Sequence, residues 1–207
     1  MNTTAPKTRT RLSPQKRKLQ LMEVALGVFA RRGIGRGGHA DIAEIAGISV
    51  ATTFNYFPTR EDLVDEILNH TVSQFSNFLV ENIDFDRHVK DNLYNITTAM
   101  LALVQKNEDW VKVWFEWSAS TREEVWPLFV HANHTNQLLI ENIFAKGIER
   151  GEICSQHQTR HLASLFHGLC YSLFLQANRI QTDNIEYSHI KLCDLSESYM
   201  NMLCIYK

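Results

Sequence analysis

The sequence predicts an all-α protein of about nine helices. Apolar residues recur every three or four positions along most of the 207 residues, which is helical spacing. Only four prolines are present, and each can stand at a helix start or in a link. No alternating apolar and polar segments joined by Asn-Gly or Asp-Gly turns predict β-hairpins. Because 44% of the residues are hydrophobic, the chain can bury a real core, and this composition excludes wholesale disorder.

The first predicted helix begins at Ser13-Pro14, an N-cap followed by proline at the first helical position. Gly33 closes it, and a glycine-rich link over residues 33–38 follows. The apolar positions expected on the inner face of this helix are Leu19, Met22, Leu26 and Phe29.

Two short helices joined by a glycine turn come next. The first is predicted over residues 39–46, with Ile42 and Ile45 expected to face inward, and the second over residues 49–56. Gly47 suits the tight turn between them because glycine tolerates a positive φ. This is the pattern of a helix-turn-helix, whose second helix enters the major groove of DNA.

A long helix then opens at Thr59 and Asp62, which have the spacing of a capping box. Further helices are predicted at roughly 87–106, 109–119, 123–150, 158–180 and 187–206. We therefore divide the chain into a flexible basic arm (1–12), a helix-turn-helix domain (13–60) and a helical body (61–207).

The formal net charge of -2 hides a strong asymmetry. Residues 1–60 carry ten Lys and Arg against three acidic residues, a balance of +7. The remaining residues carry eleven basic and twenty acidic side chains, a balance of -9. This asymmetry indicates that residues 1–60 bind a polyanion, while the acidic remainder of the chain has a different role.

The second short helix is expected to expose uncharged side chains that suit base edges. Asn can pair with adenine through two hydrogen bonds, and Val or Thr methyl groups can pack on the thymine methyl. Alternating arginines in the arm can enter a narrow minor groove, although the arm could also be an unstructured terminus with no role. The residues expected to contact DNA are Arg9, Arg11, His39, Ser49, Val50, Thr52, Thr53, Asn55, Tyr56 and Arg60.

Two segments of this region resemble the DNA-binding signature of the TetR family. They are residues 42–49 (IAEIAGIS) and 54–63 (FNYFPTREDL). Within the family, nearly the whole chain is similar to the quorum-sensing master regulators of vibrios, the LuxR/HapR/LitR/SmcR group. The segments that carry this similarity are 11–17 (RLSPQKR), 31–41 (RRGIGRGGHAD), 114–122 (WFEWSASTR) and 202–207 (MLCIYK).

The resemblance implies a homodimeric transcription factor that binds a roughly palindromic double-stranded DNA site. Members of the group act as activators and repressors of luminescence, protease, biofilm or virulence genes, and RNA polymerase is a further expected partner. Two other functions stay open on the residues alone. One is a ligand-released repressor of efflux or catabolic genes, and the other is a helical enzyme or carrier.

The resemblance also implies a pocket in the body for a small apolar ligand. Aromatic stripes there could equally be ordinary core. Asn133 and Gln137, about one turn apart, are expected to be convergent polar groups in the pocket. The residues expected to line it are Phe75, Phe78, Leu79, Trp114, Asn133, Gln137 and Cys170.

The last two helices are expected to form the dimer interface, although one of their apolar faces must also pack into the core of the protomer. A two-fold body would hold two recognition helices about 34 Å apart, one turn of DNA. The residues expected at the interface are Leu162, Leu165, Phe166, Leu169, Leu173, Leu192, Leu195, Tyr199 and Met202.

No motif in the sequence predicts catalysis, a metal site or a cofactor. The histidines lack the spacing of a zinc site, and the four cysteines form no CxxC pair. No apolar stretch predicts a membrane helix or a secretory signal, so we expect a cytoplasmic protein, associated with the nucleoid when bound to DNA.

Overall fold

The structure is a computed structural model that describes residues 13–123, 125–179 and 185–203, which form nine helices and no strand. The predicted all-α class is therefore confirmed over these residues. The helices are α1 (Pro14–Arg32), α2 (His39–Ala46), α3 (Val50–Phe54), α4 (Arg60–Asn82), α5 (Val89–Gln105), α6 (Asp109–Ser118), α7 (Trp126–Glu149), α8 (Thr159–Arg179) and α9 (Ile185–Leu203).

The chain divides into two compact units between Ile67 and Leu68, inside α4. This lies beyond the division that we expected at residue 60. The first turns of α4 belong to the first unit, where Leu63 and Ile67 are fully buried. In the second unit α5 packs on α7, α8 and α9, and α7 also packs on α8.

The predicted cap of α1 is confirmed, but the predicted inner face is partly wrong. The Ser13 hydroxyl accepts a hydrogen bond from the Lys16 N–H at 3.3 Å, and Gly33 ends the helix at φ 83°. Leu19, however, is exposed. The buried face of α1 comprises Leu21, Met22, Ala25, Gly27, Val28 and Phe29.

The helix-turn-helix geometry is confirmed in the first unit. Gly47 adopts φ 63° between α2 and α3, the left-handed conformation that the turn requires. Ile42 is fully buried as predicted, whereas Ile45 is 54% exposed, so its predicted inward orientation is wrong. The buried face of α2 consists of His39, Ile42 and Ala43, and Ile45 lies about 60° beyond Ile42 around the helix axis, on the side away from Ala43.

A polar cluster ties the loop before α5 to the end of α7. The Glu152 carboxylate accepts hydrogen bonds from the Val89 N–H at 2.7 Å and from the Arg150 side chain. Arg150 also donates to the carbonyls of Phe85 and Arg87. Burial alone would raise the pKa of Glu152, but the Val89 N–H, Arg150 and His88 together hold that pKa below its ordinary value.

Candidate functional site

The N-terminus of α3 is held by a side-chain cap. The Ser49 Oγ accepts a hydrogen bond from the Thr52 N–H at 3.2 Å and lies 2.8 Å from the Thr52 Oγ1. Ser49 is exposed and Thr52 is half-buried. Both hydroxyls are therefore occupied in stabilising the start of the helix.

An apolar surface occupies the outer face of α3. Val50 is 42% exposed and Phe54 is 46% exposed, and Ala51 and Asn55 are exposed with them. The exposure of Val50 and Asn55 agrees with the sequence-based expectation. Phe54 and Ala51 were missed, although Phe54 lies four positions after Val50, a spacing that places both on one helical face.

Thr53 does not belong to this surface, and its predicted exposure is wrong. The side chain is fully buried, because it lies on the inner face of α3. Its hydroxyl has no hydrogen-bond partner within the described residues. Tyr56, another expected DNA contact, is half-buried.

His39 is also buried, so its expected role as a side-chain contact to DNA is wrong. Its Nε2 lies 2.7 Å from the Phe57 carbonyl oxygen. Its ring stacks on Phe54, with ring centroids 4.0 Å apart and an interplanar angle of 10°. His39 therefore fixes the C-terminal end of α3 from the first position of α2.

Arg60 spans from the start of α4 to the glycine-rich link. Its Nη2 donates to the Ile34 carbonyl at 2.7 Å, so the guanidinium helps hold the link in place. Within the link, a Cβ on Gly37 would lie 3.1 Å from the Val28 Cγ1 and 3.2 Å from the Phe29 Cδ2, which explains the glycine there. Contact of Arg60 with DNA stays a prediction.

Some basic residues of the first unit form ion pairs, and several basic residues are exposed. Lys18 pairs with Glu66 at 2.6 Å, and Arg32 pairs with Asp41 at 2.8 Å. The exposed cations of the described residues up to 36 are Lys16, Arg31, Arg32 and Arg36. Arg9 and Arg11 lie outside the described residues.

The second unit contains a small apolar cavity of about 30 Å³. The structure places five of the expected residues on its wall: Phe75, Phe78, Leu79, Trp114 and Cys170. The rest of the wall consists of Ile96, Met100, Trp110, Val111, Phe115, Ile140, Phe166 and His167. Ligand pockets usually measure about 300–1,000 Å³, so a small-molecule ligand requires these side chains to move.

Asn133 and Gln137 are absent from the cavity wall, and their predicted role there is wrong. The Asn136 amide donates to the Asn133 Oδ1 at 3.0 Å. The Ser76 hydroxyl donates in turn to the Asn136 Oδ1 at 2.8 Å. Gln137 donates to Glu141 at 3.1 Å. Both side chains therefore hydrogen bond within α7, and Asn136 connects α7 to Ser76 of α4.

His167 is the polar wall residue that the sequence analysis did not assign to the cavity. Its ring packs edge-on against Trp114, with centroids 5.0 Å apart. Burial lowers the pKa of His167 from the ordinary 6.5 to about 4, and burial raises the pKa of the Cys170 thiol to about 12. Both groups are therefore neutral near pH 7.

The segment that contains the helix-turn-helix matches a known family of bacterial regulators. A profile of bacterial regulatory proteins of the TetR family matches residues 21–67, the segment that contains the helix-turn-helix. The HTH-type transcriptional regulator LuxR of Vibrio harveyi is 66% identical over 206 residues, covering 100% of this chain and 98% of LuxR. The chain belongs to the TetR family. It is a helix-turn-helix transcriptional regulator that binds DNA, as the sequence predicts.

Solved structures share the fold of this TetR-family regulator at low sequence identity. AibR, determined in complex with isovaleryl coenzyme A and operator DNA, has a TM-score of 0.72 at 16% identity, covering 91% of this chain and 98% of AibR. KstR2 of Mycobacterium tuberculosis, a ketosteroid transcriptional regulator, has a TM-score of 0.64 at 16% identity. The match covers 96% of this chain and 97% of KstR2.

Most of the residues expected at the dimer interface are buried or half-buried within the protomer itself. Leu162, Phe166, Leu173 and Leu192 are buried by the protomer's own side chains, so their assignment to an intermolecular interface is wrong. Leu169, Leu195 and Tyr199 are half-buried. Leu165, at 55% exposure, and Met202, at 60%, remain on the surface of the TetR-family body.

No group of three or more His, Cys, Asp and Glu side chains is placed to hold a metal ion in the described part of this TetR-family chain. No described helix combines the length and apolar character that crossing a membrane requires.

The buried imidazole of His167 should make this regulator sensitive to acid. The unfolded chain takes up a proton at His167 below pH 6.5, whereas the folded chain resists protonation until about pH 4. The free energy of unfolding is therefore unaffected by His167 above pH 6.5 and decreases as the pH falls below this value. The decrease reaches about 3 kcal/mol at pH 4.

Urea unfolding of wild type and His167→Gln at pH 7 and pH 4.5 measures this effect. We expect the loss of stability on acidification to be smaller in His167→Gln. The exposed His131→Gln is the matched control and should retain the wild-type loss. Equal losses in His167→Gln and wild type would contradict the assignment.

Proposed function

We propose that this regulator binds a roughly palindromic double-stranded DNA site as a homodimer, with α3 of each protomer in the major groove. The observation that carries the proposal is the exposed, uncharged face of α3, which is fixed at one end by the Ser49 cap and at the other by His39. The charge of +7 over residues 1–60 supports attraction to phosphate. Arg9 and Arg11 extend the contact into the minor groove.

The genes under control are those of quorum sensing, including luminescence, protease, biofilm or virulence genes. The 66% identity to LuxR over the whole chain supports this assignment. The protein acts as an activator and as a repressor, and activation includes a contact with RNA polymerase. It works in the cytoplasm and is associated with the nucleoid when bound to DNA. Genome-wide binding in the native cell, compared with gene expression after deletion of the gene, tests this proposal.

Asn55→Ala should abolish discrimination between the preferred site and random DNA while leaving weak, salt-sensitive binding. The exposed amide is suited to adenine, and loss of a bidentate pair costs about 1–3 kcal/mol of discrimination at each contacted base. Competition binding with specific and random duplexes at two salt concentrations measures both quantities. Unchanged site preference would remove Asn55 from base recognition.

Thr53→Val is the matched control on the same helix. The buried hydroxyl has no partner among the described residues, so an isosteric methyl should leave site preference unchanged and raise the melting temperature. An altered site preference in Thr53→Val would show that the inner face of α3 controls recognition.

A second candidate function is a ligand-released repressor of efflux or catabolic genes, supported by the apolar cavity of the second unit. A small apolar ligand that enters it must displace aromatic side chains, and such a rearrangement is a route to altered DNA affinity. Binding to the preferred duplex in the presence of small apolar compounds tests this function. Release at micromolar concentration would favour it over the first proposal.

A further inference from the structure

The hydrogen-bonding groups of α3 are largely occupied inside the protein. Ser49 and Thr52 bond to one another and to the backbone at the helix start. The Thr53 hydroxyl is fully buried on the inner face. Of the three hydroxyl side chains that the sequence offered for base recognition, Thr53 is therefore buried, and Ser49 and Thr52 are engaged in capping the helix.

No charged residue occurs between Ile45 and Thr59. Guanine is most often recognised by Arg or Lys and cytosine by Asp or Glu, through hydrogen bonds in the major groove. Neither kind of contact is available from α3.

The outer face of α3 instead presents methyl groups and an aromatic ring. Val50, Ala51 and Phe54 are exposed and lie within one helical turn of one another. Stacking on His39 covers one face of the Phe54 ring and holds the ring in position. The single amide on this face belongs to Asn55.

Thymine is the base that an apolar face of this kind can distinguish. Its C5-methyl group is the one apolar substituent in the major groove, and apolar side chains recognise it by contact. We infer that α3 selects its site by packing Val50, Ala51 and Phe54 against thymine methyl groups, with Asn55 contacting adenine. This inference rests on the proposed function, because it requires α3 to enter the major groove.

Replacement of thymine by deoxyuridine tests the inference, since it deletes the methyl group and keeps every hydrogen-bonding group of the base. Selection from a pool of random duplexes with the wild-type protein first provides the preferred site. Failure to recover a preferred site would overturn the proposed function itself. The recovered duplex is then made with thymine or with deoxyuridine, and its affinity is measured by fluorescence anisotropy.

We expect wild type to lose about four-fold in affinity for each contacted methyl that is removed. Deoxyuridine placed only in the flanks should have no effect. Equal affinity for the thymine and deoxyuridine sites would overturn the inference while leaving site-specific binding intact.

Two variants assign the effect to the helix face. Val50→Ala should bind the thymine site more weakly and should reduce the thymine-to-deoxyuridine affinity ratio. Asn55→Ala should also bind more weakly but should keep the wild-type ratio. Circular dichroism melting confirms that both variants fold. An unreduced ratio in folded Val50→Ala would overturn the assignment of a thymine-methyl contact to Val50.

Discussion

Leu165→Glu should convert the proposed homodimer into a monomer and remove high-affinity binding to a palindromic site. Leu165 is 55% exposed on α8, and the neighbouring Gly168 has open space where a Cβ would lie. A second helix can therefore approach this face closely. In a two-fold interface each substitution occurs twice. Burial of an unpaired charge costs about 2–5 kcal/mol, so two copies should weaken the dimer at least about a thousand-fold.

Sedimentation equilibrium measures the dimer dissociation constant, and anisotropy with the palindromic duplex measures the consequence for DNA binding. Val80→Glu is the matched control, because Val80 is an apolar residue of α4 that is 68% exposed. This variant should stay dimeric. A dimeric Leu165→Glu protein with wild-type affinity would exclude the outer face of α8 from the interface.

Gly147→Ala should destabilise the second unit by about 2 kcal/mol, which lowers the melting temperature by about 4–8 °C. An added Cβ on Gly147 would overlap the Cγ2 of Val89, a side chain that is almost fully buried between α5 and α7. Alanine normally favours a helix over glycine by about 1 kcal/mol, so a net loss of stability must come from this overlap.

Thermal unfolding at a fixed protomer concentration measures the change, since dimerisation also contributes to stability. The double variant Gly147→Ala with Val89→Ala should lose less stability than the sum of its single variants. Gly35→Ala is the control, because a Cβ there would meet nothing within 4 Å and the residue lies far in sequence from the proposed interface on α8, so this variant should not show the loss. A Gly147→Ala protein at least as stable as wild type would mean that α5 and α7 separate at little cost.

Local signals in the sequence were reliable where a backbone requirement selects a residue type. Ser13-Pro14 predicted the start of α1, and Gly47 predicted the turn. The pairing of Thr59 with Asp62 predicted the start of α4, and the two residues hydrogen bond in both directions at 3.1 and 3.0 Å. Such features depend on residues at most a few positions apart, so the sequence pattern contains their cause.

Side-chain orientation was less predictable on the short helices. Ile45 and Thr53 were both placed on the wrong face. On helices of eight and five residues, two or three apolar positions define a face poorly, and the true face depends on which neighbours pack against it. The burial of His39 has the same origin, because its partners Phe54 and Phe57 come from the next helix and the turn beyond it.

Composition, local spacing and a signature within one segment were enough to predict the family, the helical class and the basic character of the DNA-binding region. The packing of the folded protomer was needed to show which apolar helix face lies in the core and which polar side chains already hydrogen bond within the protein. Leu162 and Leu165 are both leucines and lie three positions apart on α8, yet Leu162 is buried in the protomer and Leu165 is exposed. Helical periodicity gives the positions of apolar stripes, and only the packing of helices from distant parts of the chain decides which stripe is covered.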